Sequence, residues 1–253
     1  MNLISLVIPA YNEASRIQTT VREALEYFAG KRQACEIIVS ADGTDGTREA
    51  AQTLAAAHPQ IRVIGSPERG GKGRGIRQAV QLATGDVIGF SDADNKTPIS
   101  EFDVIEPLLR AGREVVIGSR GMRGSRIERA QPLYRRVGSR GFALFMQTAV
   151  GLPGIVDTQC GFKFFQGDVA RDLFRRQRID GYMFDVEILY IARQRGYRIE
   201  EVAVRWRDDG DSRLNLVAGN LRNMRDILGI RWRHRQLRHE ADLVSEPVSR
   251  TDS

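Results

Sequence analysis

Strand-like and helix-like segments alternate through the first half of the chain, and this alternation restricts the fold more than any other feature. The runs LISLVIP (3–9), CEIIVS (35–40), IRVIG (61–65) and DVIGF (86–90) are short, apolar and rich in β-branched residues, as in strands buried on both faces. Helical patterning fills the gaps, from 13 to about 28, from 45 to 57 with Asp45 or Thr44 as N-cap, and from 73 to 83. A further helix over 98–111 and the strand EVVIGSR (114–120) continue the series. Strands separated by helices make a mostly parallel sheet with helices on both faces. Such sheets bind ligands at the carboxyl ends of their strands, and three polar clusters fall there: PAYNE (9–13), ADGTDGT (41–47) and SDADNK (91–96).

Beyond residue 118 the alternation lapses. SRGMRGSRIERAQ (119–131) reads as a mobile basic loop, either a solvated connector or a functional segment. Helical patterning returns over 133–149, VDTQCGFKFF (156–165) carries a strand, MFDVEILYIARQRG (183–196) is an amphipathic helix ending at Gly196, and IEEVAVRW (199–206) is the last strand. Residues 1–215 are expected to form one domain, 216–239 a basic amphipathic helical appendage, and 240–253 a disordered polar tail. Between 216 and 238 six arginines accompany one acid, Asp226, interleaved with apolar residues from Leu216 to Trp232. Such a helix lies on an anionic membrane surface or packs on the domain with its cationic face in water; both readings stand equally.

A net charge of +6 favours phosphate-bearing partners without choosing among them. The two cysteines, Cys35 and Cys160, form no CxxC or Cys/His cluster, so neither a disulfide framework nor a zinc site is indicated. No apolar run reaches the roughly 18 to 20 residues of a membrane span, and the first residues do not read as a signal peptide. The expected location is cytoplasmic, with peripheral attachment to the inner face of the cell membrane as the reading that goes with the basic helix.

The DVIGF strand runs into Asp92, Ala93 and Asp94. In extended backbone a period of two places both carboxylates on one face, an arrangement that suits a hard divalent cation. GGKGRG (70–75) fails as a P-loop because Ser66 and Gly73 stand where Gly and Ser/Thr are required, and it is a poor dinucleotide fingerprint. What remains is a lysine among glycines at a helix start, suited to approach a phosphate or a nucleotide ring. A nucleic-acid-binding module is the rival outside enzymes. It lacks stacking aromatics and a groove-binding motif, so no nucleic-acid partner is expected.

PAYNE, ADGTDGT, GGKGRG and DAD, in this order and spacing, resemble the family 2 glycosyltransferases, nucleotide-sugar enzymes with the GT-A fold. VIGSR (116–120), DTQCGFKFF (157–165) and MFDVEILYIA (183–192) narrow the resemblance to the dolichyl-phosphate β-glucosyltransferases, over about residues 3 to 232. The resemblance implies that Pro9, Tyr11, Asn12 and Glu13 line the nucleotide pocket, with Asp42 on the base or ribose and Lys72 beside the nucleotide. Asp92, Ala93 and Asp94 would form the DxD motif that holds Mg2+ or Mn2+ and meets the substrate, Asp94 as the more direct metal ligand and Asp92 toward the ribose or the metal. Arg120 would lie near the donor phosphates or the acceptor, and Asp157, Gln159, Lys163, Asp185 and Glu187 around the donor sugar and acceptor. Two features depart from the family: Ala41 replaces the first acid of DDGSxDGT and that loop is one residue short, and the anchor of the eukaryotic lipid-linked enzymes has no counterpart in this sequence.

The implied reaction is metal-dependent, inverting transfer of a hexose from a nucleoside diphosphate to a polyprenyl phosphate. UDP-glucose is the favoured donor, with N-acetylglucosamine and mannose donors open. A soluble alcohol or a polysaccharide is the alternative acceptor. An alcohol would require a general base, for which Asp157 and Asp185 are both candidates.

Overall fold

The computed structural model describes residues 1–127, 141, 144–207 and 218–237. The first half follows the alternation read from the sequence: β1 (Leu3–Tyr11), α1 (Ile17–Gly30), β2 (Ala34–Asp42), α2 (Thr47–Ala57), β3 (Ile61–Ile64), α3 (Lys72–Leu82) and β4 (Val87–Ser91). A 3-10 turn (Ile99–Glu101) leads into α4 (Phe102–Arg110), followed by β5 (Val115–Ser119). Then come β6 (Arg126–Ile127), β7 (Phe162–Gln166), α5 (Gly167–Arg176), α6 (Phe184–Gln194), β8 (Ile199–Ala203), β9 (Arg205–Trp206) and α7 (Ala218–Arg233).

Seven strands form one sheet in the order β3-β2-β1-β4-β7-β5-β8. All are parallel except β7, which runs antiparallel to both neighbours. From β1 the chain winds outward through β2 and β3 and then returns to β4 on β1's other side. That reversal opens a crevice at the carboxyl ends of β1 and β4. The amino end of β7 meets the same edge, since Phe162 pairs with Ser91.

Helices cover both faces, as a parallel sheet requires. Ile4, Leu6 and Ile8 of β1 pack with Val21 and Phe28 of α1, Leu54 of α2 and Phe102 and Ile105 of α4 on one face. Val7, Ile88, Phe90 and Ile117 pack with Ile76 of α3, Leu173 of α5 and Leu189 of α6 on the other. The two sets interleave along each strand with the period of two that the pleat imposes. Helix α6 stops where the sequence reading placed it: Gly196 has φ +76°, and the Tyr197 amide turns back to the Ala192 carbonyl.

Three features differ from the sequence reading. The last strand is broken at Val204, whose amide donates to the Ser119 carbonyl, so that β9 leaves the main sheet and pairs with β6. The basic loop is therefore partly ordered into a strand, while residues 128–131 lie outside the described residues. Helix α5 carried no separate expectation. The helix expected over 133–149 falls largely outside the described residues, within which Met146–Val150 is a π-helical turn; the tail at 240–253 lies wholly outside them. Helix α7 buries Ile227 and Ile230 in the core and exposes Met224, Leu228 and Trp232.

Gly89 sits in the middle of β4 opposite Phe164, whose ring lies across it, and an added Cβ would collide with that ring. Gly89→Ala should cost about 2 kcal/mol through overpacking; urea denaturation would measure it.

Candidate active site

The edge where β1, β2, β4 and β5 end and β7 begins gathers most of the polar residues singled out in the sequence. Tyr11 and Asp42 are register partners at the ends of β1 and β2, with Pro9 two residues earlier. Asn12 has a left-handed φ of +56°, which asparagine tolerates better than most residues. The Glu13 amide donates to Thr47 Oγ1 at 2.8 Å, and Asp45 accepts from the Ala14 amide, joining the end of β1 to the start of α2. Asp42 accepts from the amides of Ser66 (3.2 Å) and Gly70 (2.8 Å), so its carboxylate holds the segment that precedes Lys72. A cation, Arg69, lies 4.4 Å from the Tyr11 ring centroid and donates to Tyr182 Oη.

Steric crowding accounts for glycine within GGKGRG. A Cβ on Gly73 would lie 2.5 Å from the Ile179 carbonyl and 2.7 Å from Phe184 Cβ. Glycine there lets α3 start against the 177–183 segment, which delivers Lys72 to the crevice. Lys72 Nζ is 2.6 Å from Asp92 Oδ1 and lies over the rings of Phe90 and Phe184. Burial alone would lower its pKa, but the charges of Asp92 and Asp185 outweigh it and hold the ammonium firmly protonated.

Asp92 and Asp94 follow β4 directly, and the Asp92 amide donates to the Gly161 carbonyl. Any side chain at Gly161 would run into the Asp92 carboxylate. The Asp94 pKa is raised by burial and by the neighbouring charge of Asp92, against the pull of Lys96, whose Nζ lies 3.6 Å from Asp94 Oδ2. Ala93 between them is buried, and its carbonyl accepts from Thr20 Oγ1. Ala93 and Asp94 form a turn, closed by the Asn95 amide on the Asp92 carbonyl, where the sequence reading expected extended backbone; the two carboxylates are still near enough for their charges to repel, and oxygen donors of this kind fit a hard cation such as Mg2+ or Mn2+. Among the described residues no cluster of three or more His, Cys, Asp or Glu completes a cage. The donor set therefore matches a cation held by one or two carboxylates and by phosphate oxygens of a ligand.

Across the crevice, Arg120 at the end of β5 grips Asp157 with its backbone amide (2.9 Å), Nε (2.7 Å) and Nη2 (2.9 Å). Burial would raise the Asp157 pKa, yet the guanidinium charge and these bonds hold it down at about 2. Glu201, which sequence reasoning passed over, accepts from the amides of Val156 and Asp157 and fixes that loop. Gln159 follows, its amide donating to Asp157 Oδ1. Lys163 on β7 is fully buried and donates to the Cys160 carbonyl and to Asp185 Oδ1, both at 2.6 Å. Burial raises the Asp185 pKa despite Lys163 and Lys72. Asp185 is thus placed between two lysines behind the crevice.

Glu187 is placed elsewhere. It is fully buried, accepts from the Arg178 and Ile179 amides, and lies 2.7 Å from His234 Nε2. Its carboxylate joins the 177–183 segment to the chain just past α7, which is a structural task.

Since the Asp157 carboxylate is held at about 2, its pairing stabilises the fold above the ordinary carboxylate range near about 4 and is lost as pH falls through the lowered value. Asp157→Asn should cost about 2–3 kcal/mol at pH 7, with the difference from the parent protein shrinking steadily below about pH 4. Chemical denaturation at a series of pH values would read this.

The glycosyl transferase family 2 model matches residues 5–174. A dolichyl-phosphate beta-glucosyltransferase of Trichomonas vaginalis is 35% identical over 238 residues, covering 89% of this chain and 70% of that protein. The dolichyl-phosphate beta-glucosyltransferase of Homo sapiens is 31% identical over 245 residues, covering 91% and 75%. Among solved structures, glucosyl-3-phosphoglycerate synthase from Mycobacterium tuberculosis, in complex with Mn2+, UDP and phosphoglyceric acid, superposes with a TM-score of 0.67 at 20% identity over 92% of this chain and 78% of that one. Mannosyl-3-phosphoglycerate synthase from Rubrobacter xylanophilus gives 0.65 at 19% identity over 98% and 78%. A strand-end carboxylate pair on a GT-A sheet, with sequence similarity along nearly the whole length, places the chain in glycosyl transferase family 2, as a nucleotide-sugar-dependent glycosyltransferase.

Proposed function

We propose that the chain transfers glucose from UDP-glucose to a polyprenyl phosphate with inversion at the anomeric carbon. The observation that carries the acceptor class is the state of the two candidate bases. Asp157 is locked by Arg120 at a pKa of about 2, far too low to take a proton from an alcohol. Asp185 is buried and bonded to Lys163. A phosphate monoester needs neither, because its oxygen is already anionic at neutral pH. The names of the relatives at 31–35% identity support the same acceptor and sugar, and the UDP complex of a structural neighbour supports the nucleotide.

In this reading a phosphate oxygen of the acceptor bonds to the anomeric carbon as the bond from that carbon to the diphosphate oxygen breaks. The pair Asp92 and Asp94 would hold Mg2+ or Mn2+, which supplies charge stabilisation to the departing diphosphate. Lys72, kept protonated beside Asp92, adds positive charge on the same side. Tyr11 and the Asp42-anchored segment would receive the uridine. Asp94→Asn should lower transfer by about 100-fold or more, read as labelled sugar entering an organic-extractable product from UDP-glucose; turnover within a few-fold of the parent would sink the metal assignment. Parallel reactions with N-acetylglucosamine and mannose donors test the sugar, and label reaching only a soluble alcohol would overturn the acceptor.

Helix α7 supports a place of action at a membrane surface. Met224, Leu228 and Trp232 are four residues apart and exposed, Trp232 at 71%, while Ile227 and Ile230 face the core. Arg235 lies 5.7 Å from the Trp232 ring centroid, and Arg225 and Arg231 lie alongside in sequence. No described helix is long and apolar enough to cross a membrane, whereas an apolar stripe bordered by arginines suits the interface of an anionic bilayer. The chain would rest there as a peripheral protein. Binding to phosphatidylglycerol vesicles should weaken with salt, and Leu228→Ser combined with Trp232→Ser should reduce it about tenfold or more; sedimentation with vesicles measures both.

A further inference from the structure

Each acid of the strand-end pair has an ammonium beside it: Lys72 Nζ lies 2.6 Å from Asp92 Oδ1, and Lys96 Nζ lies 3.6 Å from Asp94 Oδ2. A divalent cation that takes up Asp92 therefore has to displace an ammonium in direct contact with it. The partners in that contact are held unequally. Asp92 is fixed by its amide bond to the Gly161 carbonyl and by the close approach of Gly161 to its carboxylate. Lys72 meets it through one ammonium contact on a flexible four-carbon stem, whereas Arg120 grips Asp157 through a backbone amide and two guanidinium nitrogens.

The rest of the ammonium's surroundings do not depend on Asp92. The ring centroids of Phe90 and Phe184 lie 6.0 and 5.8 Å from Nζ, and the charge of Asp185 reaches it as well. Lys72 can leave Asp92 and keep an environment that favours a cation. The Asp92 side chain is 38% exposed, so the contact opens toward the crevice.

Two ligands of opposite charge pull this contact apart from its two ends. A divalent cation on Asp92 repels the ammonium, and a diphosphate draws it with more negative charge than one carboxylate carries. The cation alone leaves the ammonium unpaired, and the diphosphate alone leaves Asp92 facing new negative charge. With both present every charge has a partner again. Such coupling is reciprocal: the factor by which the diphosphate tightens the cation is the factor by which the cation tightens the diphosphate.

We propose that Lys72 is an exchangeable counter-ion: it holds Asp92 until a divalent cation and a nucleoside diphosphate bind together, then passes from the carboxylate to the diphosphate, so that each ligand makes room for the other. This deepens the reaction proposed above and rests on it for the cation and the diphosphate.

The test uses the full chain with Mn2+ and UDP as probes, bound Mn2+ being read by electron paramagnetic resonance after correction for the Mn2+–UDP complex in solution. In the parent protein UDP should tighten Mn2+ by about 100-fold. Lys72→Met should bind Mn2+ alone about tenfold more tightly and UDP in the presence of Mn2+ about tenfold more weakly, while the factor by which UDP tightens Mn2+ falls about tenfold. That factor is the decisive reading, because a lysine that only adds its field to both ligands shifts each affinity and leaves their coupling unchanged. Lys72→Arg, which keeps a cation on Asp92, should leave Mn2+ alone as weak as in the parent. Should Lys72→Met lose its cooperative unfolding transition, Lys72→Gln takes its place. An unchanged factor in Lys72→Met, Mn2+ binding no tighter than in the parent, or the same tightening in Lys72→Arg overturns the exchange while leaving the metal site standing. Mn2+ that binds the parent neither alone nor with UDP would refute the metal reading itself, and the exchange with it.

Discussion

Two carboxylates at the end of a buried strand are tolerable only where positive charge meets them, and the crevice depends on the lysine that does so. Lys72 reaches Asp92 because α3 begins on a glycine-rich segment pressed against 177–183, and that segment is held by Glu187. Behind it, Lys163 neutralises Asp185, whose field also reaches Lys72. The acids and bases alternate from the sheet interior to the opening. Removing one member would leave a neighbour charged and unpaired in a poorly hydrated place, a larger loss than the net contribution of any one pair.

The antiparallel strand β7 gives the second constraint. Residues 157–161 lie at the carboxyl edge, bonded to Arg120 and Asp92, so the chain enters β7 from that edge and runs opposite to its neighbours. One consequence is that the 157–161 loop lies at the mouth, beside Asp92 and Arg120. Another is that Lys163 projects to the face carrying Phe90 and α6, where Asp185 is waiting. A parallel strand in this position would have brought its own crossover helix and put the loop at the far edge.

The layered sheet was legible because buried parallel strands leave short β-branched runs and their helices leave period-3.6 stripes. The site was legible in part because acids and lysines at the end of such a strand are stable only beside a partner of opposite charge. Asp92, Asp94 and Lys72 could be named from local pattern and resemblance. The pairing of Lys163 with Asp185 could not, since it links an antiparallel strand to a helix through tertiary packing that no sequence period records. Nor could the break at Val204, which depends on an amide bond to Ser119 in another strand. Glu187 shows the opposite difficulty: it stands in a motif with Asp185, yet two residues along a helix point to different sides, and only one of them reaches the crevice.

Glu187 also sets where the molecule can be cut. Its carboxylate is closed on one side by the backbone amides of Arg178 and Ile179, the latter against Gly73 at the start of α3, and on the other by His234, just beyond α7. A version shortened before His234 would leave the buried Glu187 side chain without that partner beside the start of α3, so damage at the far end of α7 would register in the crevice. Tags and fusions therefore belong after Leu237, and the helix that carries the exposed tryptophan is tied, through His234 and Glu187, to the segment against which α3 and Lys72 are set.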